Sequence, residues 1–152
     1  MDNNKEELLE KSYSKRISRV KMEKLRKGIH NYIIAGKRYR KQGYSAKQLA
    51  EDIGTNTRYI SAAIRKYYQC NYAELVNRLR IEDVKVMFAD KECTLSIDDI
   101  AFLCGFGNRQ SFYLAFDKYV GVSPHHYRAA KRKHNVTEEG SEEFKSEEFK
   151  SE

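Results

Sequence analysis

Residues 95–128 read LSIDDIAFLCGFGNRQSFYLAFDKYVGVSPHHYR. Ile97, Ile100, Ala101 and Leu103 recur near helical spacing, the segment GFG at 105–107 interrupts them, and Phe112, Ala115, Phe116 and Tyr119 resume the period. The pattern predicts a helix, a tight turn and a second helix. Ser96 stands where its hydroxyl caps the first helix, with Asp98 and Asp99 at the positive end of its dipole. Asn108 is placed to cap the second. If Phe112, Ala115, Phe116 and Tyr119 turn inward, then Arg109, Gln110, Tyr113, Leu114 and Asp117 fall on the opposite face. Arg and Gln on a first exposed turn suit the edges of base pairs.

The run from Ile97 to Arg128 resembles the C-terminal helix-turn-helix signature of AraC/XylS-type bacterial transcription regulators. The matching features are IA at 100–101, GF at 105–106, Ser111 and Phe112, AF at 115–116, KY at 118–119, and GVSP followed by YR at 121–128. The resemblance implies an all-α fold: two helix-turn-helix subdomains joined by a long linker helix, about seven helices in all. It also implies a cytoplasmic, sequence-specific transcription regulator. Double-stranded DNA is its partner, RNA polymerase a further candidate, and no cofactor is called for.

Composition points the same way. The chain has 152 residues, room for one ordinary domain or two small ones. Its 29 Lys and Arg exceed its 22 Asp and Glu, for a net charge of +7. From Thr137 onward there are seven Glu and two Lys, so residues 1–136 carry +12. Such an excess suits a polyanion: nucleic acid first, an anionic membrane surface as the rival. No apolar run approaches a membrane span and no signal peptide opens the chain, which places it in the cytosol. Cys70, Cys93 and Cys104 form no CxxC pair, so neither a disulfide framework nor a zinc knuckle is expected, and Cys104 reads as a small hydrophobe.

Residues 1–21 form a polar extension with Leu8, Leu9, Tyr13, Ile17 and Val20 at loosely helical intervals; a frayed lead and an oligomerising or docking helix are equally open. The DNA-binding region is expected over 22–132, beginning with an amphipathic helix from Met22 to about Lys41 on Leu25, Ile29, Tyr32 and Ile33. Ser45 then caps a helix, Gly54 makes a turn and Asn56 caps a second helix carrying Ile60, Ala63, Ile64 and Tyr67 inward, a first helix-turn-helix at 45–67. Aligning residues 50–64 with 101–116 superimposes the two turns to within one residue, as an internal duplication would. Between the copies, residues 72–89 predict a long helix in which LVNRLRIEDVKVMF resembles the family's linker helix. A second helix-turn-helix follows at 96–119. Residues 133–152 are an acidic tail in which SEEFK occurs twice, at 141–145 and 146–150, a composition that favours disorder.

In a helix-turn-helix the second helix enters the major groove. In the first copy Arg58, Ser61, Ala62 and Arg65 share the face opposite the core. Arg58 can bind guanine O6 and N7 bidentately, Ser61 can donate or accept, and Ala62 can meet a thymine methyl. A phosphate contact is the rival role for Arg58. In the second copy the base-contact candidates are Arg109, Gln110, Tyr113 and Leu114. Leu114 and Asp117 depart from the arginine and lysine common in the family, which implies a less discriminating second motif. Thr57, Tyr59, Arg65, Lys66, Ser111, Lys118, His125 and Arg128 are the phosphate candidates, being hydroxyls and cations beside helix ends. His125 and His126 follow Ser123-Pro124, which starts a final helix, and adjacent histidines diverge too far to hold a metal alone.

No catalytic pattern is present: no glycine-rich phosphate loop, no nucleophile elbow, no metal-ligand spacing. Two recognition helices on one chain, about 34 Å apart, would read successive major grooves. An architectural or mobile-element protein that bends DNA with weak sequence preference is the alternative; a protein-interaction module that has lost DNA binding is a third class. About twenty residues precede the region, too few for the effector-binding domain that many family members carry, so a stand-alone member or a fragment of a larger regulator is expected.

Overall fold

The computed structural model describes residues 2–134, with the side chains of 2, 3 and 9–18 outside the description. The expectations for Leu9, Tyr13 and Ile17 and for the tail beyond His134 therefore lie outside the described residues. Among those described, all regular structure is helical: α1 (Asp2–Ile29), a wide turn (His30–Ala35), a tight turn (Arg38–Arg40), α2 (Ala46–Ile53), α3 (Thr57–Tyr68), α4 (Tyr72–Ala89), α5 (Ile97–Leu103) and α6 (Arg109–Val120). A further helix, α7, occupies 124–134. The chain divides into two units, one ending at Val76 and one beginning at Asn77.

The helix expected from Met22 to Lys41 does not run that far. α-Helical bonding stops at Ile29. In the next turn Gly36 N–H donates to the Asn31 carbonyl five residues back at 2.9 Å. A π turn of this kind adds one residue per turn. It carries Ile33 into the core at full burial, so the apolar period alone does not betray it. A Cβ at Gly36 would lie 2.7 Å from the Asn31 oxygen and 2.8 Å from that of Tyr32, which explains glycine there. Lys37, at φ 52°, then reverses the chain and drives Tyr39 into the core.

In the first unit Leu25, Ile29, Ile33, Leu49, Ile60 and Ile64 form the buried apolar set, each at 3% exposure or less. Two phenols tie its periphery. The Tyr44 hydroxyl donates to Asp52 Oδ2 at 2.5 Å, and the Tyr72 hydroxyl donates to the Tyr44 carbonyl at 2.6 Å. Burial, then the Asp52 carboxylate, push the Tyr44 phenol well above its ordinary pKa, so it stays a donor across the physiological range.

The second unit is built on aromatic rings. Phe88, Phe112 and Phe116 are fully buried. Phe116 has its centroid 5.9 Å from Phe88, 5.7 Å from Phe112 and 5.7 Å from Tyr127, tilted or edge-on as ring quadrupoles prefer. Cys104 is buried against them, its Sγ 3.8 Å from Met87 Sδ, in the role of a small apolar residue. Val86, in contrast, is 70% exposed on α4.

Phe112→Ala should lower the stability of the second unit by about 3–5 kcal/mol, the usual cost of such a cavity. Urea unfolding followed by circular dichroism measures it, and a loss below about 1 kcal/mol would contradict the packing described.

Candidate nucleic-acid interface

The two copies share a backbone as well as a pattern. Gly54 (φ 84°) and Gly105 (φ 112°) take the left-handed conformation open to glycine at little cost. The next residue closes the turn in each: Thr55 N–H donates to Ala50 O at 2.8 Å, and Phe106 N–H donates to Ala101 O at 3.1 Å. The first helix of each pair is capped by serine, Ser45 Oγ accepting from Gln48 N and Ser96 Oγ from Asp99 N. The second is capped by asparagine, Asn56 Oδ1 accepting from Tyr59 N at 3.0 Å and Asn108 Oδ1 from Ser111 N at 2.8 Å. Each of these second helices has 12 residues and ends at a left-handed residue, Gln69 or Gly121.

The repeat extends past the sequence alignment. Asn71 Oδ1 accepts from Glu74 N at the head of α4, as Ser123 Oγ accepts from His126 N at the head of α7. One extra residue in CGFGN relative to IGTN accounts for the change of offset across the turn.

On α3 the core takes Ile60, Ala63 and Ile64, leaving Arg58, Ser61, Ala62 and Arg65 exposed, with Thr57, Tyr59 and Lys66 also in solvent. Sequence reasoning missed a neighbour. Lys21 of α1 sets its Nζ 3.7 Å above the Tyr59 ring, a cation–π contact on the first turn of α3.

On α6 the core takes Phe112, Ala115 and Phe116, and Arg109, Gln110, Ser111, Leu114, Asp117 and Lys118 are exposed. Leu114 shows 66% of its surface. Tyr113 departs from the expected exposed face, being half-buried and edge-on to Phe112 at 5.3 Å. Arg109 lies over it, guanidinium to centroid 5.1 Å, with Nε 3.8 Å from Asp98 Oδ1. The Tyr113 hydroxyl and then the Asp98 charge favour its cationic form. In the shared register Gln110 matches Arg58, Tyr113 matches Ser61, Leu114 matches Ala62 and Asp117 matches Arg65.

Arg128, one of the phosphate candidates, is engaged within the unit. It is half-buried over the Phe88 ring, and its Nη2 donates to the Cys93 carbonyl at 3.1 Å. Arg132 Nη2 donates to the same oxygen at 2.8 Å. Burial, then Arg132, hold the Arg128 guanidinium below its usual pKa. The pairing spans 35 residues of sequence, beyond the reach of any local pattern. His125 is exposed nearby, and with Ser96, Arg109 and Tyr113 it lines a groove of about 610 Å³ in the second unit. No cluster of three or more metal-ligating side chains occurs among the described residues.

A family model described as a helix-turn-helix domain matches residues 49–130, more than half of the chain. The chain belongs to the AraC-type helix-turn-helix family. Among curated relatives, the melibiose operon regulatory protein of Escherichia coli K12 is 30% identical over 96 residues, 63% of this AraC-type chain and 31% of that protein. The HTH-type transcriptional regulator YtdP of Bacillus subtilis is 28% identical over 85 residues, 56% of the chain and 11% of that protein. The chain thus spans less than a third of the curated relatives it matches.

Two solved structures share the fold. A protein of unknown function from Listeria innocua aligns with a TM-score of 0.59 at 24% identity, over 67% of this chain and 95% of that one. An AraC-type transcriptional regulator from Chromobacterium violaceum aligns with a TM-score of 0.51 at 20% identity, over 57% and 76%.

Arg128→Ala should cost about 1–2 kcal/mol of stability in urea titration, by loss of a charged hydrogen bond, while leaving the salt dependence of duplex binding unchanged. A fall of about one in the salt slope would restore it to the phosphate set.

Proposed function

We propose that the chain is a sequence-specific double-stranded DNA-binding transcription regulator whose helices α3 and α6 enter successive major grooves. The observation that carries this reading is the duplicated turn and asparagine cap, which in each copy turns a polar helix face away from a buried apolar one. Arg58 reads guanine, Ser61 a neighbouring base edge, and Ala62 a thymine methyl. On α6 Gln110 reads an adenine, Leu114 packs on thymine methyls, and Arg109 is aimed by Tyr113 and Asp98. Thr57, Tyr59, Arg65, Lys66, Ser111, Lys118 and His125 contact phosphates.

The family membership and the regulatory relatives support this class of function. RNA polymerase is the further partner that a transcription regulator implies, and the cytoplasm is its place of action. No helix among the described residues is long and apolar enough to cross a membrane. No catalytic role is proposed.

Selection of binding sites from random duplexes, with the winner titrated against salt, tests the reading. Two enriched motifs one helical turn apart would establish readout by both helices. One motif would leave base reading to a single copy, and salt-steep binding without enrichment would favour the DNA-bending class. Arg58→Ala should lower affinity by about 1–3 kcal/mol and relax one base position. Equal losses on every sequence would make Arg58 a phosphate ligand instead.

A further inference from the structure

The first unit holds a groove that the DNA-reading helix does not use. It lies between α1, the wide turn and the end of α2, with a volume of about 900 Å³. Val20, Leu25, Tyr32 and Ile53 give it apolar walls. A Cβ on Gly28 would lie 3.0 Å from Ile53 Cδ1, so glycine lets α1 close onto the end of α2. Val20 at the mouth is 69% exposed. Lys21, Lys24 and Lys27 follow one another along α1 at three-residue steps and line the same groove. Of the nearby carboxylates, Glu23 is engaged by Arg26, and Asp52, which also lines the groove, accepts from the Tyr44 hydroxyl. An occupant must therefore combine an apolar side chain with negative charge.

The chain carries such a segment in duplicate. In SEEFKSEEFK, residues 141–150, Phe144 and Phe149 each follow two glutamates, and they are the only large apolar side chains after Val136. Charge alone would draw this segment equally to the exposed arginines of α3. The phenylalanines decide between the surfaces, because the exposed face of α3 offers Arg58, Ser61, Ala62 and Arg65, whereas the groove offers apolar walls beneath a lysine rim. Exposed ion pairs by themselves contribute little, so the aromatic side chain supplies the selectivity.

We propose that the groove is the docking site for this acidic segment, with one phenylalanine against Val20, Leu25 and Ile53 and its glutamates along Lys21, Lys24 and Lys27. The docking is independent of the DNA-binding reading. The test uses the full chain without DNA: amide spectra of the unchanged protein are compared with those of a Phe144→Ser, Phe149→Ser double variant, which keeps every charge. Resonances of residues 20–32 and 52–55 should move in the variant and return when a peptide of residues 137–152 is added. In a Lys21→Glu, Lys24→Glu, Lys27→Glu chain the peptide should move nothing there. No change at the groove in the first comparison, or changes confined to residues 57–66 of α3, would overturn the proposal.

Discussion

A single amide-to-carboxamide hydrogen bond, made once in each copy, determines what this protein presents to its surroundings. A helix begins with backbone N–H groups that have no partner inside it, and the residue that satisfies one of them fixes where the helix starts. Asn56 and Asn108 do this immediately after a left-handed glycine turn. Since each residue advances the helix by 100°, starting α3 one position later would turn Arg58 and Ser61 toward the core and Ile60 toward solvent. The buried triplets Ile60, Ala63, Ile64 and Phe112, Ala115, Phe116 then lock the rotation that the caps select. Cap and core specify the same register, a consistency across levels that marks a well-defined fold.

On this common backbone the copies carry different chemistry. The exposed face of α3 places small side chains, Ser61 and Ala62, between two arginines. The matching face of α6 carries a half-buried tyrosine and an exposed leucine, with an aspartate in the register position of Arg65. Arg109 is held over that tyrosine and near Asp98, which limits its rotamers and offsets part of its charge. On the proposed function, α3 discriminates by hydrogen bonds and α6 more by shape and methyl contact.

The sequence exposed whatever depends on neighbours within one or two turns. Ser45, Asn56, Ser96 and Asn108 as caps, Gly54 as a turn and the apolar stripes of α3 and α6 are all local choices, and each stands where the pattern placed it. Three features escaped for physical reasons. The π turn after Ile29 keeps Ile33 in the apolar stripe, so the periodicity continues across a break in the helix. Arg128 looks like any surface cation until the Cys93 carbonyl and the Phe88 ring are brought to it from 35 and 40 residues away. The Lys21–Tyr59 contact likewise joins helices whose side chains carry no mutual signal in the sequence.

The distribution of charge follows the division into units and sharpens the contrast between the copies. Counted along the sequence, residues 1–76 carry a net +9, residues 77–136 carry +3 and the remaining residues −5. Most of the basic excess thus belongs to the unit containing α3. Polyanion binding releases counterions in proportion to the phosphates neutralised, so the first unit would supply most of the salt-sensitive, sequence-independent affinity. In the second unit part of the smaller cationic complement is already committed internally, with Arg128 and Arg132 on one backbone oxygen and Arg109 near Asp98. On the proposed function, therefore, the first unit captures the duplex and makes the hydrogen-bonded base contacts, and the second adds shape and methyl contact once it is held there.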